Sequence, residues 1–298
     1  MKAALAIGVA VVLSVHDQAS PTFRASADSV SVEVSVRRDG RPVTGLLAAD
    51  FELLDNGVAQ AITEISYEKL PIDVTVALDV SASVSGAVLE QLRSAVRQLR
   101  DDLDSRDRLK LMPFNMQTIR LVDFVPAKTS IDAQLDSISP SGSSSIFDVV
   151  AVALASPVAP DRRQLIMLFT DGMDSTSIVT PAVLIDMARR TSPTVAIVLG
   201  GVTTGGVFAA APSIPPAYRQ LYDQLAAETG GTVSVVTGES RIRTMFQRAL
   251  AEFRSSYVLH FAPKGVASGG AHTLAVRVKQ PGRPGTFEIR ARAGYLWR

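Results

Sequence analysis

Hydrophobic positions along this chain change their period twice. Over residues 29–36 the alternation is strict, with Val30, Val32, Val34 and Val36 on one side and Ser29, Ser31, Glu33 and Ser35 on the other. A period of two marks a half-buried strand of an antiparallel sheet. Asp39-Gly40 and Asn56-Gly57 accept positive φ and so predict tight turns, the second between residues 51–54 and the stretch 58–65. Residues 29–67 therefore read as a small β unit.

After Pro71 the pattern changes to near-continuous apolar runs at residues 74–78, 165–169 and 195–199. Strands apolar on both faces belong in a parallel sheet covered by helices. Helical stripes lie between and after them: Val88, Leu89, Leu92, Val96, Leu99 and Leu103, with Arg93, Arg97 and Arg100 outside the stripe, and later Ile242, Met245, Phe246, Ala249, Leu250 and Phe253. Alternating buried strands and amphipathic helices predict a doubly wound, mostly parallel α/β domain over residues 71–255.

The period returns to two at Tyr257, Leu259 and Phe261, then at Leu274, Val276 and Val278, then at Phe287, Ile289 and Ala291. Neither terminal β segment has enough strands to be stable alone. Residues 28–70 and 256–298 are therefore expected to pair into one antiparallel β-sandwich flanking the α/β domain.

The amino terminus has its own character. Met1-Lys2 precedes an apolar run over residues 3–15, too short to span a bilayer and of the right length for a signal-peptide core, and Ala25-Ser26-Ala27 supplies small residues for cleavage. Residues 1–27 read as a signal peptide, which implies an exported mature chain: periplasmic, cell-surface or secreted. No later run is apolar over the roughly 18 residues a membrane helix needs, so no transmembrane segment is expected in the mature chain.

Composition narrows the function classes. With 47% hydrophobic and 20% charged residues in 298, the chain is a folding one, and a net charge of +1 argues against bulk capture of nucleic acid or anionic membrane. Arg277, Lys279, Arg283, Arg290, Arg292 and Arg298 alternate with apolar positions and have no aromatic stacking platform, so they read as a solvated sheet face. The absence of Cys excludes disulfide scaffolds, thiol nucleophiles and thiolate metal sites. The 3 His residues, His16, His260 and His272, are far apart, and the latter two read as exposed or satisfied structural residues. The Gly- and Pro-rich stretch 200–216 lacks the Lys and Ser/Thr of a phosphate loop and reads as a flexible insertion.

One constellation carries candidate chemistry. The first buried run ends in Asp79-Val80-Ser81-Ala82-Ser83, and in an extended segment residues i, i+2 and i+4 share a face. The Asp79 carboxylate and the Ser81 and Ser83 hydroxyls can thus converge at the carboxyl edge of the sheet, where open α/β folds bind ligands. The run 165–169 ends in Thr170-Asp171-Gly172, a second carboxylate for the same edge, and Ser143-Ser144-Ser145 opens a helix between them. Two carboxylates with neutral hydroxyls suit a hard cation, of which magnesium keeps open positions for water or an incoming ligand. Asp148 reads as a first-turn acid favoured by the helix dipole, and Asp174 as a loop acid.

The pattern D-x-S-x-S, then a hydroxyl, then Asp, resembles the metal-ion-dependent adhesion site of the von Willebrand factor type A domain. The whole chain is similar to the VWFA-related family typical of acidobacteria, on the evidence of residues 39–46 and 50–57, Ala227-Glu228-Thr229-Gly230-Gly231, Tyr257-Val258-Leu259 and Arg292-Ala293-Gly294-Tyr295. That resemblance implies a Rossmann-like fold and a divalent cation, Mg²⁺ or else Mn²⁺ or Ca²⁺, on Asp79, Ser81, Ser83, Ser144 and Asp171, with Ser144 standing where the family has Thr.

The expected function is capture of a protein partner that offers an acidic residue to the metal. The alternative is a structural or assembly module with a vestigial metal site. No enzyme is expected: the chain has no G-x-S-x-G elbow and no H-E-x-x-H, and Ser81 stands where a phosphatase-type site has its second Asp.

Overall fold

The computed structural model describes residues 29–67, 70–159, 161–200, 214–236, 241–279 and 287–297; the signal-peptide reading of 1–27 and residues 201–213 of the Gly- and Pro-rich stretch lie outside them. The alternating valines form β1 (Val30–Arg38), which turns at Asp39 and Gly40, both at positive φ, into β2 (Arg41–Pro42). β3 (Phe51–Asp55) follows and turns through Asn56 and Gly57, again both at positive φ, into β4 (Val58–Gln60) and then β5 (Ile62–Tyr67). Two successive positive-φ residues are what a type I′ hairpin turn requires.

The central part runs β6 (Ile72–Asp79), α1 (Gly86–Asp102), β7 (Arg108–Phe114), β8 (Val122–Pro126), α2 (Asp132–Asp136), α3 (Ile146–Leu154), β9 (Arg163–Thr170), α4 (Pro181–Arg190), β10 (Thr194–Gly200), α5 (Pro216–Thr229), β11 (Thr232–Val236) and α6 (Arg241–Arg254). The sheet order is β11-β10-β9-β6-β7-β8, parallel except for the antiparallel edge strand β8. One face of this mixed sheet packs under α1 and α6 through Leu92, Leu99, Phe246 and Phe253; the other packs under α3, α4 and α5 through Val150, Leu184 and Leu225. β7 has no continuous apolar run because Lys110 and Pro113 interrupt it, yet it is buried. Lys110 is accommodated by a 3.0 Å hydrogen bond from its Nζ to Ser156 Oγ.

The last strands are β12 (Tyr257–Phe261), β13 (Gly270–Val278), β14 (Glu288–Ala291) and β15 (Gly294–Trp297). β1 pairs antiparallel with both β12 and β14, and β3 with β13, so the first and last strands of the chain share sheets. One sheet runs β14-β1-β12-β5 with β2 on β1; the other runs β15-β13-β3-β4. Both contribute to one core, which includes Val32, Val34, Phe51, Leu53, Leu259 and Phe261. The stretch 58–65 is not one strand: its first residues belong to β4 in one sheet and the rest to β5 in the other.

Two features of the terminal strands depart from the pattern reading. The polar side of β1 does not face water alone, because Glu33 accepts from Arg163 Nε at 3.0 Å and from Thr194 Oγ1 at 3.1 Å, joining β1 to β9 and β10. Arg292 is no part of a solvated face either. Its guanidinium donates to the carbonyls of Ala188 at 3.2 Å and Thr191 at 2.8 Å, at the C-terminal end of α4, where unsatisfied helix carbonyls attract a cation. Nearby, Gly231 lies so close to β10 that a Cβ there would stand 1.9 Å from the carbonyl oxygen of Val195. His272 is a satisfied structural residue: buried, with Nδ1 2.7 Å from Asp55 Oδ1, while Tyr295 donates its hydroxyl to Asp55 Oδ2 at 2.7 Å.

Candidate functional site

Three loops meet at the carboxyl edge of the central sheet. β6 and β9 are direct parallel neighbours, with Leu78 opposite Phe169, so the acid that ends β6 and the residues that follow β9 come together. The loop before α3 joins them through backbone bonds from Ala82 N to Gly142 O at 2.9 Å and from Ser175 N to Ser144 O at 2.9 Å.

Asp79 is fully buried at this edge. Its Oδ1 accepts the amide of Ser81 at 3.0 Å. Ser144 Oγ lies 3.1 Å from Oδ1 and 3.0 Å from Oδ2, and Thr170 Oγ1 donates to Oδ2 at 2.8 Å. Burial, first, and the charge of Asp171, second, push the Asp79 carboxyl above the ordinary carboxylate range, while hydrogen bonds from Ser81 and Thr170 pull it back.

The hydroxyls form a short chain between the two acids. Ser81 Oγ lies 3.0 Å from Ser83 Oγ, and Ser83 Oγ donates to Asp171 Oδ2 at 3.1 Å. Asp79, Ser81, Ser83, Ser144 and Asp171 are thus brought into one connected cluster. Of the three consecutive serines, Ser144 is the one that reaches Asp79; Ser145 donates to the carbonyl of Asn115 at 2.6 Å, and Ser143 is exposed.

Asp148 and Asp174 serve the loops. Asp148 Oδ1 accepts the amides of Ile178 at 3.0 Å and Val179 at 2.8 Å, holding the segment that leads to α4. Asp174 Oδ1 accepts the amides of Ile146 at 2.7 Å and Phe147 at 3.2 Å, so it caps the N-terminus of α3 from another loop. Two tyrosines of α5 fix the same loop from behind: Tyr222 donates to Gly172 O at 3.1 Å and Tyr218 to Asp174 O at 2.8 Å.

Thr170 is the participant that pattern reading passed over. Its signal lay in the strand register, since the residue after Phe169 stands beside the residue after Leu78. Among the described residues no group of three or more His, Cys, Asp and Glu side chains gathers to bind a metal. The donor set here is instead two carboxylates with hydroxyls, all hard oxygens of the kind Mg²⁺ and Ca²⁺ take. Its fit to such an ion rests on the buried Asp79 carboxylate, which has a second carboxylate, Asp171, as a charged neighbour and takes hydrogen bonds from the Ser81 amide and the Ser144 and Thr170 hydroxyls.

The family profile of the von Willebrand factor type A domain matches residues 73–247, more than half of the chain. No curated protein sequence matches. Among solved structures, a von Willebrand factor type A protein from Catenulispora acidiphila is similar at 12% identity and a TM-score of 0.50, covering 92% of this chain and 74% of that one. The PilB minor pilin from Streptococcus sanguinis is similar at 13% identity and a TM-score of 0.50, covering 63% of this chain and 62% of the pilin. Proximal thread matrix protein 1 from the mussel byssus, with a zinc-occupied adhesion motif, matches at 13% identity and a TM-score of 0.49, covering 66% of this chain and 48% of that one. Likeness at these identities describes the fold.

Proposed function

The chain belongs to the von Willebrand factor type A domain family, and from that premise we propose that it is an exported, non-enzymatic binding protein. Asp79, Ser81, Ser83, Ser144 and Asp171 would hold a divalent cation, Mg²⁺ in the first instance, with Thr170 fixing the Asp79 carboxylate. When bound, the cation supplies an electrophilic position that an acidic side chain of a protein partner can occupy.

The observation that carries this reading is the hydroxyl chain Ser81–Ser83 linking Asp79 to Asp171 at the carboxyl edge of β6 and β9. Neutral hydroxyls add little negative charge, so a cation held mainly by two carboxylates stays attractive to a third. The chain's own residues fix the donors: Thr170 and Ser144 orient Asp79, and Tyr222 steadies the Asp171–Gly172 turn. The loops around this edge also expose Met116, Met173 and Ile178, the last at 90%, apolar side chains that a protein partner could cover.

Export is proposed from the amino-terminal pattern over residues 1–27, and with it the division into a terminal β-sandwich, residues 28–70 with 256–298, and a cation-binding unit, residues 71–255. The test is the melting temperature of the mature protein in EDTA, Mg²⁺ and Mn²⁺ beside Asp79→Ala. A ligand that binds only the native state stabilises it. A rise with metal in the wild type, absent in the variant, supports the reading. No rise in either at millimolar ion overturns it.

A further inference from the structure

The two edges of the central sheet differ in how they are protected. β8, at one end, carries the devices that keep an edge from pairing with another chain: an exposed aspartate, Asp123, a proline, Pro126, and a register shift opposite Leu109 and Leu111. β11, at the other end, has none of them. It reads Thr-Val-Ser-Val-Val, without charge, proline or register shift, and among the described residues it pairs with β10 alone. Whereas β10 is buried throughout, Thr232, Val233, Ser234 and Val235 are all partly exposed. The backbone N–H and C=O groups on the outer side of β11 are thus left without a strand partner among the described residues, a template for one more strand.

A groove of about 630 Å³ runs along that edge, with β11 as its floor and α5, α6 and β14 as its walls. Successive residues of a strand face opposite sides. Val233 and Val235 pack into the layer that contains α5, and Val236 into the layer that contains α6. A strand laid beside β11 therefore alternates its side chains between Ala226 and Ala227 on α5 and Met245 and Ala249 on α6. The alanines leave room for larger apolar side chains.

The charges of the groove specify the rest of the occupant. Glu252 is neutralised by Arg290 and Arg37, and Asp223 by Arg219 at 2.9 Å. Arg248 is exposed and has no ion pair among the described residues. One unmatched cation remains, and it calls for a carboxylate on the side of the added strand that faces α6.

We propose that β11 is a docking edge for an extended segment of a partner protein, which adds as a further strand with apolar side chains toward the alanines and an acidic side chain on Arg248. Main-chain hydrogen bonds give such a complex its affinity and alternate side chains its specificity. A second copy of the chain fits less well. Antiparallel pairing of two β11 edges about a two-fold axis sets α6 beside α6, so that two Arg248 guanidinia share one face. The edge is independent of the Asp79 cluster, since β10 and β9 lie between β11 and β6.

Fluorescence anisotropy on the mature chain in EDTA tests this, with labelled, end-capped heptapeptides of alternating valine and threonine that carry glutamate, glutamine or lysine at the centre. The glutamate peptide is expected to bind with a Kd below about 100 μM, and the lysine peptide at least tenfold more weakly. N-Methylation separates strand addition from adherence to an apolar groove: methyl groups on the amides that face β11 should abolish binding, and methyl groups on the intervening amides should leave it. Arg248→Glu, at an exposed position, should reverse the preference to lysine, and Ala227→Trp, also exposed, should block the groove. Both variants should keep a cooperative melt.

No anisotropy change from any peptide up to about 1 mM overturns the proposal. So does an equal effect of both N-methyl patterns, or an unchanged glutamate preference in Arg248→Glu. A wild-type chain that sediments as a dimer, and as a monomer once Ala227→Trp is introduced, overturns it as well, because a second copy then holds the edge.

Discussion

Ser144 Oγ sits within hydrogen-bond distance of both carboxylate oxygens of Asp79, at 3.1 and 3.0 Å, across 65 residues of sequence. Removing that hydroxyl leaves a buried carboxylate one donor short. Ser144→Ala should cost about 1–3 kcal/mol in metal-free buffer, the usual penalty for stranding a buried polar group. Ser144→Thr, which keeps the hydroxyl, should stay within about 1 kcal/mol of wild type. Urea denaturation of the three proteins in EDTA measures both, and equal midpoints for Ala and Ser would show that Thr170 and the Ser81 amide suffice.

The raised Asp79 pKa gives stability a pH dependence of definite sign. In the folded protein burial and Asp171 hold a proton on Asp79 more firmly than in the unfolded chain, whose value is 3.8. Without metal, the contribution of this group is greatest below pH 3.8 and falls as pH rises through the folded value, because the fold then confines a costly anion. Asp79→Asn, which cannot ionise, should lack this component. Added Mg²⁺ needs the ionised form, so its stabilising effect should grow over the same rise in pH. Melting curves at several pH values, with and without metal, read both slopes.

Much of the architecture was legible in period alone. The strict alternation over residues 29–36 is β1, the stripe from Val88 to Leu99 is the buried face of α1, and both positive-φ dipeptides turn hairpins. The site was legible in part because a spacing of two on an extended chain is a geometric statement: Asp79, Ser81 and Ser83 share a face whatever surrounds them. Three consecutive serines, by contrast, carry no mark of which one turns inward; burial and the Asn115 carbonyl decide it. Thr170 and Arg292 stayed hidden for one reason, since each acts on a group distant in sequence, Asp79 in one case and the end of α4 in the other.

Arg292 should be difficult to replace. It joins the segment before β15 to the last carbonyls of α4, and its planar fork reaches Ala188, Thr191 and Gly294 together. Arg292→Met should destabilise by about 2–4 kcal/mol, from lost charge-assisted hydrogen bonds and stranded carbonyls. Arg292→Lys should recover less than half of that, because one ammonium cannot span the same acceptors. Guanidinium denaturation decides it, and full recovery with lysine would mean that charge alone matters.

Two glycines should respond very differently to a methyl group. At Gly231 a Cβ would stand 1.9 Å from Val195 O, so Gly231→Ala forces the start of β11 away from β10 and should cost more than about 4 kcal/mol. At Gly40 a Cβ meets nothing within 4 Å, and only the positive φ of 73° opposes it. Gly40→Ala should therefore cost about 1–2 kcal/mol. Soluble expression and melting temperature of the pair distinguish close approach from backbone strain.

The pairing of β1 with β12 bears on how the polypeptide is made. Tyr257 donates its hydroxyl to Val43 and accepts from Leu46 N, a contact that spans 211 residues. At ribosomal speeds of about 5–20 residues per second, the N-terminal valines wait about 10–40 s for these partners to emerge. The α/β unit, whose strands lie between the two halves of the sandwich, can assemble during that interval. Throughout it β1 lacks its neighbours β12 and β14, leaving backbone groups unpaired beside the apolar stripe Val30, Val32, Val34 and Val36, so nascent chains stalled before residue 257 should be the species most dependent on a holding chaperone.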